Sequence, residues 1–326
     1  MSVIKLSPFK VEPETNTFID QFHAVLHAAG LTTYPKYALA CMSALAFRFS
    51  VHRQLSAVSI FAYDWCAQHY LAADFVGVYS ETYAGYADHP LVPIYRQHVV
   101  KEAMHSIDQG VGVVVWQDQF MSLYGYDDDN RLFYAVDSAG KSNQSISFDT
   151  LGQGQSPLSF CQLFGAERIA FDIRDLVKES FVQAIYQWEH HDTALCADQF
   201  ACGEHAYDVL IEAFREGEFD WDGAARTIRM YGVFKRYIAQ YVQSMQPEMA
   251  GLELVASYYA QVCRMYEDIN RLLALCLADE PTTMPIRLEI ARCFQEAKDA
   301  EQAAICQMKQ VVHDVRLSRG VTPERR

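Results

Sequence analysis

The chain has no uncharged apolar stretch of about 18 residues, no C-x-x-C pair and no basic run longer than Arg325-Arg326. The first absence argues against a membrane-spanning helix. The second argues against the common zinc-finger and thiol-redox spacings. The third, with 27 basic residues against 41 acidic ones and a net charge of -14, argues against a nucleic-acid grip or docking on anionic lipid, since both need a basic face. The first seventeen residues carry Lys5, Lys10, Glu12 and Glu14 and no apolar core, so no secretory signal is expected. The nine cysteines are scattered through apolar runs, which reads as buried thiols in a reduced, cytoplasmic chain.

What is present is ordinary globular composition, 51% apolar and 21% charged over 326 residues. That length accommodates about two domains. The first half changes period often. The spacing predicts an amphipathic helix over 18–29, with Phe18, Phe22, Val25 and Leu26 on one side and Gly30 ending it. Residues 37–49 read as a helix or a buried strand. A helix is predicted over 94–107, closed by Gly110. Strands follow at 111–116, 119–126, 131–136, 145–148 and 158–164, with Asp127-Asp128-Asp129-Asn130 as a hairpin turn; three acids there also suit calcium, but without the spacing of a calcium loop. Helices followed by antiparallel strands read as α+β.

The second half reads as helical, over 173–190, 204–215, 223–245, 252–277 and 286–317, with Pro247, Gly251, Pro281 and Pro285 between them and a polar tail after Gly320. Five such helices predict a bundle. Tyr207, Tyr231, Tyr237, Tyr241, Tyr258, Tyr259 and Tyr266 read as half-buried edges or as a polar pocket with Arg229, Arg236 and Arg264. Glu289, Glu296 and Glu301 read as facing solvent.

The run Ile107-Asp108-Gln109-Gly110, then Val113-Val114-Val115-Trp116, then Leu123-Tyr124-Gly125-Tyr126-Asp127-Asp128 resembles the closing half of two related papain-like domains. These are the bacteriocin-processing cysteine peptidases and the N-terminal domain of the butirosin biosynthesis protein H group, an acyltransferase group of antibiotic assembly. Ser43-Ala44-Leu45-Ala46-Phe47-Arg48-Phe49 and Gly203-Glu204-His205-Ala206-Tyr207 are similar to segments of uncharacterised relatives of the second group. The resemblance implies a papain-like α+β domain over 1–170 and an all-α bundle over 171–326. It implies a cysteine at the start of the first helix, a histidine on the first paired strand and an orienting acid on the next. The cysteine position falls on Thr17, the histidine position on Gln119 and the acid on Asp137. A threonine beside a glutamine has no base to activate it. Cys41, with His23 and His27 one turn apart, is the displaced alternative.

Other candidates follow from single residues. Arg48, between Phe47 and Phe49, needs a carboxylate: Asp64, Asp137 or a ligand. Trp116, Gln119, Tyr124 and Tyr126 would line a cleft or fill the sheet core. His190, His191, Cys196, Cys202 and His205 form the only dense His/Cys group, with zinc ligation weighed against helix-end packing; no metal or other cofactor is expected. The expectation is a specialised-metabolism protein holding a small-molecule or peptide-like substrate, free or bound to a carrier protein, in an interdomain cleft. Acyl or amide transfer, a non-catalytic scaffold or partner-binding role, and a homodimer are the readings left open.

Overall fold

The computed structural model describes residues 3–7, 9–278 and 284–318. The expected helix stop at Pro281 and the tail after Gly320 lie outside the described residues. In chain order the elements are β1 (Val3–Lys5), α1 (Phe18–Ala28), α2 (Lys36–Met42), β2 (Ser50–His52), α3 (Trp65–Phe75), β3 (Val78–Tyr86), α4 (Val92–Asp108), β4 (Val113–Trp116), β5 (Phe120–Asp127), β6 (Leu132–Val136), β7 (Gln144–Ser147) and β8 (Leu158–Arg168). Then come α5 (Ile173–Glu189), β9 (Phe200–Cys202), α6 (Glu204–Glu216), α7 (Trp221–Met245), α8 (Glu253–Ala278) and α9 (Met284–Ser318). The fold is mixed α and β, and every strand pair in it is antiparallel. No described helix is long and apolar enough to cross a membrane.

The chain forms two compact units. One comprises Met1–Leu39 and Trp65–Phe171, the other Ala40–Asp64 and Asp172–Arg326. Residues 37–49, read from sequence as one helix or strand, are instead a helix, a single 3₁₀ turn at Leu45–Phe47 and the lead into β2. Small residues in Ala38-Leu39-Ala40-Cys41 allow the helix, and Ala44, at φ 64°, ends it.

The first unit is a sheet of order β3-β8-β4-β5-β6-β7, with β1 also on β5. β4 covers Phe120–Leu123 on one edge of β5, and β1 takes over at Gly125–Asp127. Gly125 is required there, because a Cβ would stand 2.6 Å from the Ile4 carbonyl oxygen. On one face α4 sets Val99, Val100, Ala103 and Ile107 on a core that includes Val113, Val115, Leu123, Phe133 and Cys161. Gly110 closes α4 with φ 84°. α1 packs on β4 and β5, bringing Phe18 and Phe22 against Phe120, Phe160 and Phe164. α1 is not simply amphipathic: Asp20 and Gln21 are buried with the apolar side chains.

In the second unit β2 pairs with β9, and Tyr231 on α7 bonds both the N–H (2.9 Å) and the carbonyl (2.7 Å) of Ser50. That double contact ties the 40–64 segment to the helices. α9 packs on α5, α6 and α8, and α8 also on α7. Glu301 corrects the solvent-facing expectation, being 3% exposed. Its carboxylate accepts from Lys235 Nζ at 2.7 Å, Tyr207 Oη at 2.7 Å and Tyr259 Oη at 3.1 Å. Helices α6, α7, α8 and α9 thus meet at one carboxylate. Tyr207, Tyr231, Tyr241, Tyr259 and Tyr266 are fully buried, not half-buried edges. Burial, then the Glu301 charge, pushes the Tyr207 and Tyr259 hydroxyls up, so both stay protonated as donors. Glu301→Ala strands the Lys235 ammonium, and equilibrium denaturation of this unit is expected to lose about 3–5 kcal/mol. Lys235→Met with Glu301→Leu should lose distinctly less; an equal loss would show that the pair is not what is being broken.

Candidate functional site

The start of α1 is set by a side chain inside the helix. Asp20 reaches back to accept from the N–H groups of Thr15 (2.9 Å) and Asn16 (2.8 Å) and from Lys36 Nζ (3.0 Å). Burial pushes the Asp20 carboxyl up, and Lys36 and the two N–H groups oppose that. Thr17 occupies the N-cap position without capping; its hydroxyl shares a 2.8 Å bond with Thr15 Oγ1. It is 4% exposed.

Gln21, one turn on, is fully buried. Its Oε1 accepts from Ser122 Oγ on β5 at 2.6 Å, and its Nε2 donates to the Asp137 carbonyl at 3.2 Å. Phe18 meets Phe120 edge-on at 5.6 Å. The opening of α1 therefore lies over the β5–β6 hairpin whose ends carry Gln119 and Asp137. A ring cluster of Trp65, His69, Trp116, Phe120 and Phe160 surrounds Phe18.

Each of the three residues has partners of its own. Gln119 ends the tight turn from β4, with Asp118 at φ 59°. Its Oε1 accepts from the N–H of Ser138 at 3.1 Å and from the Ser138 hydroxyl. Asp137 Oδ1 accepts from Ala139 N and Lys141 N, both at 2.9 Å, and Oδ2 from Gln144 Nε2 at 3.4 Å. No hydrogen bond joins Thr17, Gln119 or Asp137 to another of the three. Each shapes a turn or a helix start, and the Gln119 amide cannot take a proton from a hydroxyl near neutral pH.

The other candidates are placed as follows. Cys41 belongs to the second unit, on α2, fully buried; burial pushes its thiol well above the ordinary range, as for a thiol packed in a core. Arg48, also in that unit, has no carboxylate partner among the described residues, against the ion pair expected. Its guanidinium donates to Ser50 Oγ and the Ile60 carbonyl, each at 3.3 Å, and lies 3.8 Å above the Tyr63 ring. One hydroxyl, one carbonyl and a ring face meet the guanidinium instead, and Nε is buried without an acceptor. Tyr124 bonds the Ser142 carbonyl at 2.8 Å. A register shift between Leu123 and Gly125 puts Tyr126 into the core beneath α4, bonded to Asp108 Oδ1 at 2.8 Å. Burial and Asp108 push its hydroxyl up to about 12. Asp127 accepts from Asn130 N and Nδ2, which is turn chemistry.

Among the described residues no three His, Cys, Asp or Glu side chains form a group able to hold a metal ion. His190 bonds and stacks on Tyr186, His191 bonds the Leu195 carbonyl, and His205 faces Glu204 and Asp208. Sequence reading missed Gln21 and Ser122; a glutamine one turn after Phe18, on the apolar side of a helix, was the available signal. No protein-family model matches the chain, and no curated protein is similar to it.

Native-state alkylation near pH 8 should modify the exposed Cys66, Cys196 and Cys306 and spare Cys41 and Cys161. Early labelling of Cys41 in a peptide map would restore it as a nucleophile. Gln21→Leu leaves Ser122 Oγ and the Asp137 carbonyl without their partner, and urea denaturation should show a loss of about 1–3 kcal/mol.

Proposed function

We propose that the first unit is a papain-like domain, of the kind found in the butirosin biosynthesis protein H group and the bacteriocin-processing peptidases, that has kept the framework and lost the acyl-transfer chemistry. In this reading the protein binds a small-molecule or peptide-like substrate, free or carried on a protein, in specialised metabolism, and does not form an acyl-enzyme. The observation that carries it is the pattern at Thr17, Gln119 and Asp137. They stand at the opening of α1, the start of β5 and the end of β6, the order in which such a site is built, and each is held by partners of its own. A glutamine at the histidine position cannot accept the hydroxyl's proton, and without a cysteine the helix start has no thiolate to stabilise.

The test restores the missing groups. Iodoacetamide should alkylate the thiol introduced by Thr17→Cys about tenfold faster near pH 7 when Gln119→His is added, because an imidazole at that position lowers the thiol pKa. Equal rates in the single and double variants would mean that the two positions do not face each other, and the papain-like reading would fail. The wild-type chain, incubated with an acyl thioester, should show no covalent adduct by intact mass.

A further inference from the structure

Apart from Thr17, Gln119 and Asp137, the first unit contains a cavity of about 470 Å³ bounded by β3, β8, α4 and the Leu151-Gly152 segment. That size falls within the usual range for small-molecule sites. Its walls include Tyr83, Tyr86, Tyr95 and Phe160, together with Arg96 and His89. No lining residue is acidic and none is a lysine, in a chain where acids outnumber bases by 14.

Arg96 is held in place without being neutralised. Nε donates to the Leu151 carbonyl at 2.9 Å and Nη1 to the Asp149 carbonyl at 2.8 Å. Nη2 is covered by protein and has no acceptor. No ion pair is formed with it among the described residues. Carbonyls orient a guanidinium but leave its unit charge. The rings beside it are set differently. Tyr83 is fixed through its hydroxyl, which donates to Glu81 Oε2 at 2.9 Å and meets His98 Nε2 at 3.2 Å. Tyr86 and Tyr95 are 65% and 55% exposed at the rim, large apolar surfaces with nothing yet packed on them.

We infer that this cavity binds a small aromatic carboxylic acid as its monoanion, the carboxylate paired with Arg96 and the ring held among the tyrosines. One guanidinium balances one negative charge, and with no lysine in the wall a dianion such as a phosphate monoester is the poorer match. Aromatic walls favour a ring over an alkyl chain through offset or edge contacts. None of Thr17, Gln119 and Asp137 lines the cavity, so the inference stands independently of the chemistry at that locus.

The probes are phenylacetate and indole-3-acetate, titrated calorimetrically into the full chain, with phenylacetamide as the neutral counterpart. Saturable binding of at least one acid is expected, with the amide weaker by about tenfold or more, as a charge-assisted pair requires. Arg96→Met should lose about tenfold. Because Arg96 also holds two carbonyls, Tyr95→Ala serves as a second variant; its side chain is exposed, the fold is expected to survive, and affinity should drop by about threefold or more. No saturable binding of either acid up to about 5 mM, amide binding equal to that of the acid, or affinity unchanged in folded Arg96→Met and Tyr95→Ala each overturns the inference.

Discussion

The side-chain amide of Gln21 fixes the geometry of the candidate locus. It is buried, and it spends its acceptor on a β5 hydroxyl and one of its donors on the carbonyl after β6. A leucine there would pack α1 against the sheet without choosing a register. The amide does choose: the helix can slide or turn only by leaving a buried hydroxyl and a buried carbonyl unpaired, about 1–3 kcal/mol each. From that constraint follows the position of Phe18 over Phe120, and so the position of Thr17 at the opening of the helix. Asp20 supplies the matching constraint at the other side of the turn by gathering Thr15, Asn16 and Lys36.

The second unit solves its own problem by a related device. Four helices with apolar faces can exchange partners or shift by a turn at little cost, since one leucine or alanine replaces another. Glu301 does not permit this, because a carboxylate 3% exposed needs Lys235, Tyr207 and Tyr259 at once. A buried ion pair of this kind is weak support for stability taken alone, compared with well-packed apolar residues. Its effect is on which arrangement is allowed. Tyr231, bonding both backbone groups of Ser50, extends the same logic to the 40–64 segment, which β2 also joins to β9.

Where local pattern decides structure, the sequence was legible. The β4–β5–β6 meander could be read from its β-branched run and its Asp-rich turn, α4 from its apolar spacing and closing glycine, and α5 to α9 from their periodicity. What could not be read depends on distant partners. α3 begins Trp65-Cys66-Ala67-Gln68-His69 and has almost no amphipathic contrast, because tertiary packing covers it unevenly. β3 carries Tyr79, Glu81 and Tyr83, polar enough to pass for a loop until β8 pairs with it. Glu301 sits among Asp299, Gln302 and Lys298 and looks like any solvated helix position; only its distant partners Lys235, Tyr207 and Tyr259 explain it. Strand residues two apart share a face, so Tyr124 and Tyr126 would lie together, and the register shift between Leu123 and Gly125 breaks that rule. Thr17, Gln119 and Asp137 were reached by resemblance. That they are saturated by Thr15, Ser138 and the 139–141 backbone lies beyond any spacing argument.

The two arginines differ in what surrounds their charge. Both are oriented by backbone carbonyls or a hydroxyl, and neither meets a protein carboxylate among the described residues. Arg48 is 5% exposed with a tyrosine ring laid over it at 3.8 Å. The ring supplies negative potential over the guanidinium, while Arg48 Nε, like Arg96 Nη2, is buried without an acceptor. Arg96 has carbonyls and stands in the wall of a cavity whose rim tyrosines face solvent. In a chain with this excess of acids, the absence of every acid from that wall keeps the Arg96 charge unspent. A protein can discriminate among ligands by charge and shape without forming a covalent intermediate. In the first unit the groups that would do so lie along β3 and α4, while the residues at Thr17, Gln119 and Asp137 are occupied in holding the fold.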